Sequence, residues 1–459
     1  MNDFMLGPDS HFNVRTMPNL EQNTRHRRVD SNRTSVPAWE PLQSGFPAPS
    51  GEKQSQPLVK IDCGNQNREI QKAQQLSQSD TSCYVRGLVD PDLRATVESW
   101  KECNSHFPDH TIYCDPEWIA ERFKKEKENI RIFFLEKGKK VVGAVPFLLA
   151  RKHLECQLSQ LTVAKFPMRV LRLLGYTPNM PAEESTYDTL IDQVLRSDCD
   201  AIYMNHVRTD SFLWNYLRGS QLIRKWFWCY RRTDPLPHLL IRLDGTFEHY
   251  MQKFPAKLRQ NWRRTIRLLQ KHGEVQLMRI TSAPDIDAFL EAAYGIDRTT
   301  WQFRRFGRGL AARDLDVARG EMHLLARRGW LRSYLLKCGD MPCSFVLGQQ
   351  YGSTFYPENV GIDDKWSEYS VGTIILGLIL EDLFRERPPQ VYDFGSHVKW
   401  QELFATESYP EVSVWLFRRR SYPLLAGSIY RACNVVSTAA GAALERFGLR
   451  SRVRRLLWR

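Results

Sequence analysis

The chain has 459 residues, 42% of them hydrophobic, and carries 65 lysines and arginines against 52 acids for a formal net charge of +13. It is long and apolar enough to bury more than one core, so two domains with tails are expected. No span of about 18 apolar residues lacks a charge, which argues against a membrane-spanning helix. The N-terminus has no charged segment leading into an apolar one, which argues against secretion and points to the cytoplasm. The ten cysteines form no Cys-x-x-Cys pair. Cys338 and Cys343 are close but have no partnering cluster, so the cysteines read as reduced thiols and no metal is implied.

Residues 1–85 are rich in Asn, Gln, Ser, Pro and Arg without apolar periodicity, and are expected to be a disordered tail. Residues 92–245 then form a first domain. It has a helix over Asp115–Lys127 and strands over Ile130–Leu135 and Val141–Leu149, joined by the turn Lys137-Gly138-Lys139-Lys140. Further elements follow at Ala201–Val207 and His238–Arg242. Residues 246–418 form a second domain. A helix runs from Thr246 to His272, broken at Pro255, with Phe247, Tyr250, Phe254 and Trp262 facing the core. Next come a strand over Glu274–Ile280, helices over Pro284–Trp301 and Ala311–Arg328, and a hairpin of Leu331–Cys338 with Pro342–Gln350 turning at Gly339-Asp340. Thr354–Ile362 reads as a strand, Thr373–Arg385 as a buried helix, and Val391–Gly395 as the strand that closes a right-handed crossover. Ser370 and Thr373 are good N-cap types and Gly372 allows close approach to the backbone. The turn Tyr369, Ser370, Val371, Gly372, Thr373 is therefore a candidate anion cradle, because first-turn amides point outward unpaired.

Trp366, Tyr369-Ser370-x-Gly372, the apolar helix and Tyr392-Asp393-Phe394-Gly395 resemble the CelD/BcsL-type acyltransferases. These are a branch of the GNAT (N-acetyltransferase) superfamily associated with bacterial exopolysaccharide and cellulose production. Lys257-Leu258-Arg259, Arg263-Arg264, Gly273-Glu274-Val275 and Val141 to Pro146 extend the resemblance over roughly residues 95 to 418. It implies an α/β (α+β) fold of tandem GNAT-like domains, each a mixed, mostly antiparallel sheet flanked by helices. It also implies acetyl-CoA or another acyl-CoA as co-substrate, its pyrophosphate on Tyr369–Thr373 and its thioester between Thr354–Ile362 and Val391–Gly395. The sequence departs from the family at Val371, where proline is usual. It departs again from Ser396 to Gln401, where a Gly-Asp pair and a Tyr-Lys pair are usual, so a different acceptor side is expected.

Acyl transfer needs a base near the thioester and a donor for the leaving thiolate. Asp393 and His397 are the candidate bases, Tyr356 the candidate acid, and Glu358 shares a strand face with Tyr356. Trp301 and Trp366 are candidates for the floor of a sugar site. Lys399 and the row Arg259, Arg263, Arg267 are candidates for an anionic substrate, whereas a nucleic-acid partner is disfavoured. The ten arginines between Arg418 and Arg459 face a single acid, Glu445. Residues 419–459, with Leu424, Ile429, Val436, Leu444, Phe447, Val453 and Leu456 interleaved, are expected to form a basic amphipathic helix for an inner-membrane surface or a polysaccharide-synthesis complex. The function expected is acylation of an amino or hydroxyl group on a sugar or polysaccharide precursor. Two alternatives stay open: a FemAB-like aminoacyl-tRNA-dependent transferase, and a non-catalytic scaffold.

Overall fold

The computed structural model describes residues 81–446, apart from 91–92, 108–109, 159–160, 387–388 and 396. In chain order its strands are β1 (Thr81–Gly87), β2 (Ile130–Lys137), β3 (Lys140–Leu158), β4 (Leu161–Leu173), β5 (Ala201–Arg208), β6 (Phe227–Arg231), β7 (Leu236–Arg242), β8 (Val275–Ile280), β9 (Ser333–Cys338), β10 (Met341–Tyr351), β11 (Thr354–Ile362), β12 (Val391–Asp393) and β13 (Glu407–Arg418). The α-helices are α1 (Leu93–Ser105), α2 (Pro116–Arg122), α3 (Glu184–Arg196), α4 (Phe212–Gly219), α5 (Gln221–Trp226), α6 (Phe247–Gln252), α7 (Ala256–Leu269), α8 (Ile286–Thr299), α9 (Trp301–Phe306), α10 (Leu315–Arg327), α11 (Val371–Arg385) and α12 (Ser421–Arg446).

Local chemistry sets several boundaries. Asp115 starts α2 by accepting from the amides of Glu117 and Trp118, with Pro116 at the first helical position. Thr246 caps α6 through the His249 amide at 3.1 Å. Pro255 separates α6 from α7, as its missing N–H requires.

All thirteen strands join one sheet in the order β1-β2-β3-β4-β5-β13-β7-β12-β11-β10-β9-β8, with β6 beside β13. Its pairs are antiparallel except for β4 with β5 and β11 with β12. The two parallel pairs are each bridged by a helical crossover, α3 in the first half and α11 in the second, so the halves repeat one plan. Their last strands are exchanged. β7 pairs with β12 of the second half, and β13 returns to pair with β5 of the first. One apolar core, containing Phe134, Ile119, Phe289 and Phe345, draws on both halves, and α11 buries Ile374, Ile375, Ile379, Leu380 and Leu383 in another. Each such side chain contributes about 1.5–3 kcal/mol of burial free energy.

Several expectations are corrected. Residues 81–85, expected in the disordered tail, belong to β1, which pairs along its length with β2 and stacks Tyr84 on Phe134; residues 1–80 lie outside the described residues. The helix expected from Thr373 begins at Val371, and the one expected to reach Lys127 ends at Arg122. The C-terminal helix packs through Ala426, Tyr430 and Cys433 against Phe417, not through Val436, which is 54% exposed. Phe447, Val453 and Leu456 lie outside the described residues. Among the described residues, no helix is long and apolar enough to cross a membrane.

Candidate active site at the splay between β11 and β12

β11 and β12 pair only at Thr354↔Val391 and Phe355↔Tyr392. Beyond those residues β12 ends at Asp393 while β11 runs on to Ile362, so two parallel strands open a gap in the middle of the sheet. On the β10 side, Gly348 faces Pro357 and Leu347 faces Asn359, which leaves Glu358 as the extra residue of a bulge. Bulges re-aim side chains and concentrate near sites. Glu358 is drawn into an ion cluster, with Arg122 Nη2 at 2.7 Å from its Oε1 and the Tyr113 hydroxyl 3.4 Å from its Oε2. The other guanidinium nitrogen of Arg122 meets Glu321 at 2.7 Å. Glu358 is thus an ion-pair partner. Tyr356 is buried with its ring 5.7 Å from that of Tyr113. Burial, and then the Asp393 charge, push its hydroxyl far above the ordinary range and keep it protonated.

Asp393 is buried and tied to a histidine, though not to His397. His238 Nε2 lies 2.7 Å from Asp393 Oδ1, and the Gly395 amide donates to the same oxygen at 2.7 Å. His238 Nδ1 lies 2.7 Å from Glu411 Oε2, and His206 Nδ1 2.8 Å from Glu411 Oε1. Tyr409 stacks on the His238 ring at 4.6 Å and Tyr176 lies 4.7 Å from the His206 ring. Burial opposes a charged His238, but the carboxylates of Asp393 and Glu411, one on each nitrogen, raise its pKa to about 10. Glu411 shows the converse: burial pushes it up, yet His206 and His238 hold it down to about 2. His206, His238 and Glu411 bring ligand-type atoms within 4.8 Å of one another. Their nitrogen–oxygen separations are those of hydrogen bonds, so protons satisfy the cluster. His206 has φ 55, a left-handed conformation costing of order 1–3 kcal/mol in a non-glycine residue.

The other candidates fall in two groups. A short 3-10 helix over Asp364–Tyr369 leads into Ser370, left-handed at φ 51, and then α11. The Ser370 carbonyl accepts from the Thr373 and Ile374 amides at 2.9 and 3.2 Å, which leaves the Val371 and Gly372 amides outside the helix's own ladder. Ser370 makes no side-chain cap, contrary to expectation. Gly372 is also used differently: a Cβ there would meet Ile362, so glycine lets α11 seat against β11. Val371 is buried, and the His272, Trp366 and Tyr369 rings cluster beside the turn with centroids 5.0 to 5.9 Å apart. Trp301, on α9, packs edge-on to Phe306, and its segment is joined to the same turn by an Arg304–Asp364 ion pair and by Thr299 to Asp363.

His397 and Lys399 lie away from the Asp393 chain. His397 Nε2 pairs with Glu402 at 2.7 Å, and Lys399 is exposed. Arg259 turns back on the carbonyl of Phe254 at 2.8 Å, closing the end of α6 instead of facing a ligand, while Arg263 is exposed.

Sequence reasoning missed His206, His238 and Glu411. Each is an ionisable residue inside a mainly apolar strand, which is a usable signal, but their pairing joins positions 173 and 205 residues apart in the chain.

Residues 256–399 match the model of the acetyltransferase (GNAT) domain. No curated protein matches the chain. Among solved structures, FemX is similar at 12% identity, covering 72% of this chain and 97% of that one with a TM-score of 0.50. A tandem GNAT protein from the clavulanic acid biosynthesis pathway is 12% identical over 74% of this chain and 98% of its own, with a TM-score of 0.43. L-PGS from Bacillus licheniformis is 11% identical over 70% and 97%, with a TM-score of 0.42. At such identities the FemX likeness speaks to the fold. The matched segment holds α7, the Tyr369–Thr373 turn, α11 and Asp393 together. Residues 256–399 are an acetyltransferase domain of the GNAT type, and the chain is an acyltransferase.

Proposed function

We propose that the protein transfers an acyl group from an acyl-CoA to an amino or hydroxyl group, the acceptor attacking the thioester directly in the gap between β11 and β12. The observation that carries this reading is the coincidence of three features. A two-pair parallel splay ends at Asp393, the crossover helix α11 starts at Ser370 with two amides outside its ladder, and both lie within the acetyltransferase match. Amide groups at a helix start suit a pyrophosphate. Asp393 is the base and the protonated Tyr356 the donor to the departing thiolate. The acceptor we infer is a sugar or polysaccharide precursor. Supporting this are the resemblance of the Tyr369–Gly372 and Tyr392–Gly395 motifs to exopolysaccharide-associated acyltransferases, and the half-buried Trp301 and Trp366 on segments joined beside the cofactor turn.

A thermal-shift series with acetyl-CoA, longer acyl-CoAs and CoA tests the donor, since a ligand that binds the folded state raises its stability by mass action. Release of free thiol with amino-sugar acceptors tests transfer. An upward shift with acyl-CoA together with thiol release supports the reading; no shift with any acyl-CoA overturns it.

One observation favours a second reading, transfer from an aminoacyl-tRNA. Lys257, Arg263, Arg264, Arg267 and Lys271 are exposed along α7 and the turn after it, and none makes an ion pair with a described residue. Consumption of aminoacyl-tRNA without CoA release would select it.

A further inference from the structure

Four side chains, one from each of the adjacent strands β5, β13, β7 and β12, form a buried row across the centre of the sheet: His206, Glu411, His238 and Asp393. The backbone is distorted to complete it. Val412 faces Val207 and Val414 faces Met204, so Asn205 and His206 together oppose Ser413 in a bulge, and His206 is left-handed within it. Such a bulge turns a side chain that would point off the sheet face toward a neighbour, here onto Glu411. Within the row the only buried nitrogen without a partner is His206 Nε2, at one end. At the other end both hydrogen bonds to Asp393 fall on Oδ1, and Oδ2 accepts none from a described residue.

We propose that His206, Glu411 and His238 are positioning residues that hold the Asp393 side chain in one rotamer, its Oδ2 free for the acceptor's proton. The first half of the chain thereby sets the base used by the second. This rests on the acyl-transfer reading above.

In the step served, the acceptor nitrogen or oxygen bonds to the thioester carbonyl carbon as its proton passes to Asp393 Oδ2. Collapse of the adduct breaks the carbon–sulfur bond, and sulfur leaves with the electron pair and takes a proton from Tyr356. His238 stays protonated throughout, between Asp393 of β12 and Glu411 of β13, with Tyr409 of β13, His206 of β5 and Tyr176 of the segment after β4 against it. Arg208 of β5 stands over Tyr409 at 4.4 Å.

The test uses the full chain and the variants His206→Ala, His206→Gln and Glu411→Gln. It measures acetyl-CoA affinity by calorimetry, thiol release from acetyl-CoA with amino-sugar acceptors across pH, and ¹⁵N resonances of the imidazoles. Expected are an unchanged acetyl-CoA affinity and a loss of about tenfold or more in kcat for His206→Ala and Glu411→Gln. Partial rescue in His206→Gln is expected, because its amide still donates. The alkaline limb of the rate profile should move to lower pH in Glu411→Gln, because His238 loses one of the two charges that raise its pKa. The ¹⁵N shifts should report both His238 nitrogens protonated in the parent at neutral pH. Unchanged kcat and pH profile in the variants overturn the proposal, as does a stoichiometric divalent ion in the purified protein. So does a parent that binds acetyl-CoA yet releases no thiol. A parent that binds no acyl-CoA overturns the acyl-transfer reading instead, and the ¹⁵N arm then still reports whether Glu411 holds His238. If His206→Ala fails to fold by circular dichroism, Glu411→Gln and His206→Gln carry the comparison.

Discussion

The charge state of His238 couples stability to pH. Its pKa is near 10 in the fold against an ordinary value of 6.5, so the fold binds a proton that the unfolded chain releases. The stabilisation is fully present below about pH 6.5 and disappears as pH rises through about 10. Glu411, lowered to about 2 from 4.5, contributes with the opposite sign: its share is present above about pH 4.5 and lost as pH falls through about 2. Urea midpoints measured on the alkaline side should therefore decline toward pH 10, and that slope should flatten in His238→Gln. Asp393→Asn keeps the size of the side chain but removes the base. A fall of about a hundredfold or more in thiol release is expected, with acetyl-CoA affinity retained. Asp393 was legible beforehand because Tyr-Asp-Phe-Gly follows an apolar crossover. Its histidine was not. His397, nearer in sequence, was the natural candidate, and only the exchange of β7 brings His238 to Asp393.

At the scale of elements, α7 and α11 meet through a single missing side chain. A Cβ on Gly377 would run into the Trp262 ring, so α7 docks on α11 only because that position is bare. Gly377→Val should destabilise the protein by about 1–3 kcal/mol or more through overpacking, read as a lowered denaturation midpoint. The core-facing role of Trp262 was legible from the row of aromatics Phe247, Tyr250, Phe254 and Trp262 along α6 and α7. The bare position that receives it was not, since a glycine inside an apolar helix gives no hint of what it faces.

The C-terminal α12 allows a sharper test of membrane association than truncation would. Ending the chain near Ser421 would strip Ala426, Tyr430 and Cys433 from a core containing Phe417. Leu425, Val435 and Val436, by contrast, are all more than half exposed, and Arg431 lies on the same helix. We propose that this outer face rests on anionic lipid. Leu425→Ser with Val436→Ser should leave the melting temperature nearly unchanged and reduce co-sedimentation with anionic vesicles; equal sedimentation rejects the idea.

For the whole molecule, the family resemblance implied two like halves, but strand, crossover helix and parallel strand were readable from periodicity in the second half alone. The joining of the halves was not readable. β4, β6 and β13 lack a turn signature that would set them apart, and strand exchange depends on pairings between distant parts of the chain. Residues 81–245 and 246–459 made as separate polypeptides should each remain poorly folded, since each lacks a strand that the other donates. Mixing the two should restore cooperative melting, and the absence of recovery would count against the exchange.

The exchange also bears on synthesis at the ribosome. β13 emerges after nearly all of the sheet has been made, yet its place lies between β5 and β7, in the interior. Until it arrives, the nascent chain holds open an unpaired groove with free amides and carbonyls on both sides, the kind of edge that invites aggregation. The final strand acts as a keystone. Stalled translation products ending before Glu407 should recruit chaperones far more strongly than products that extend past Arg418.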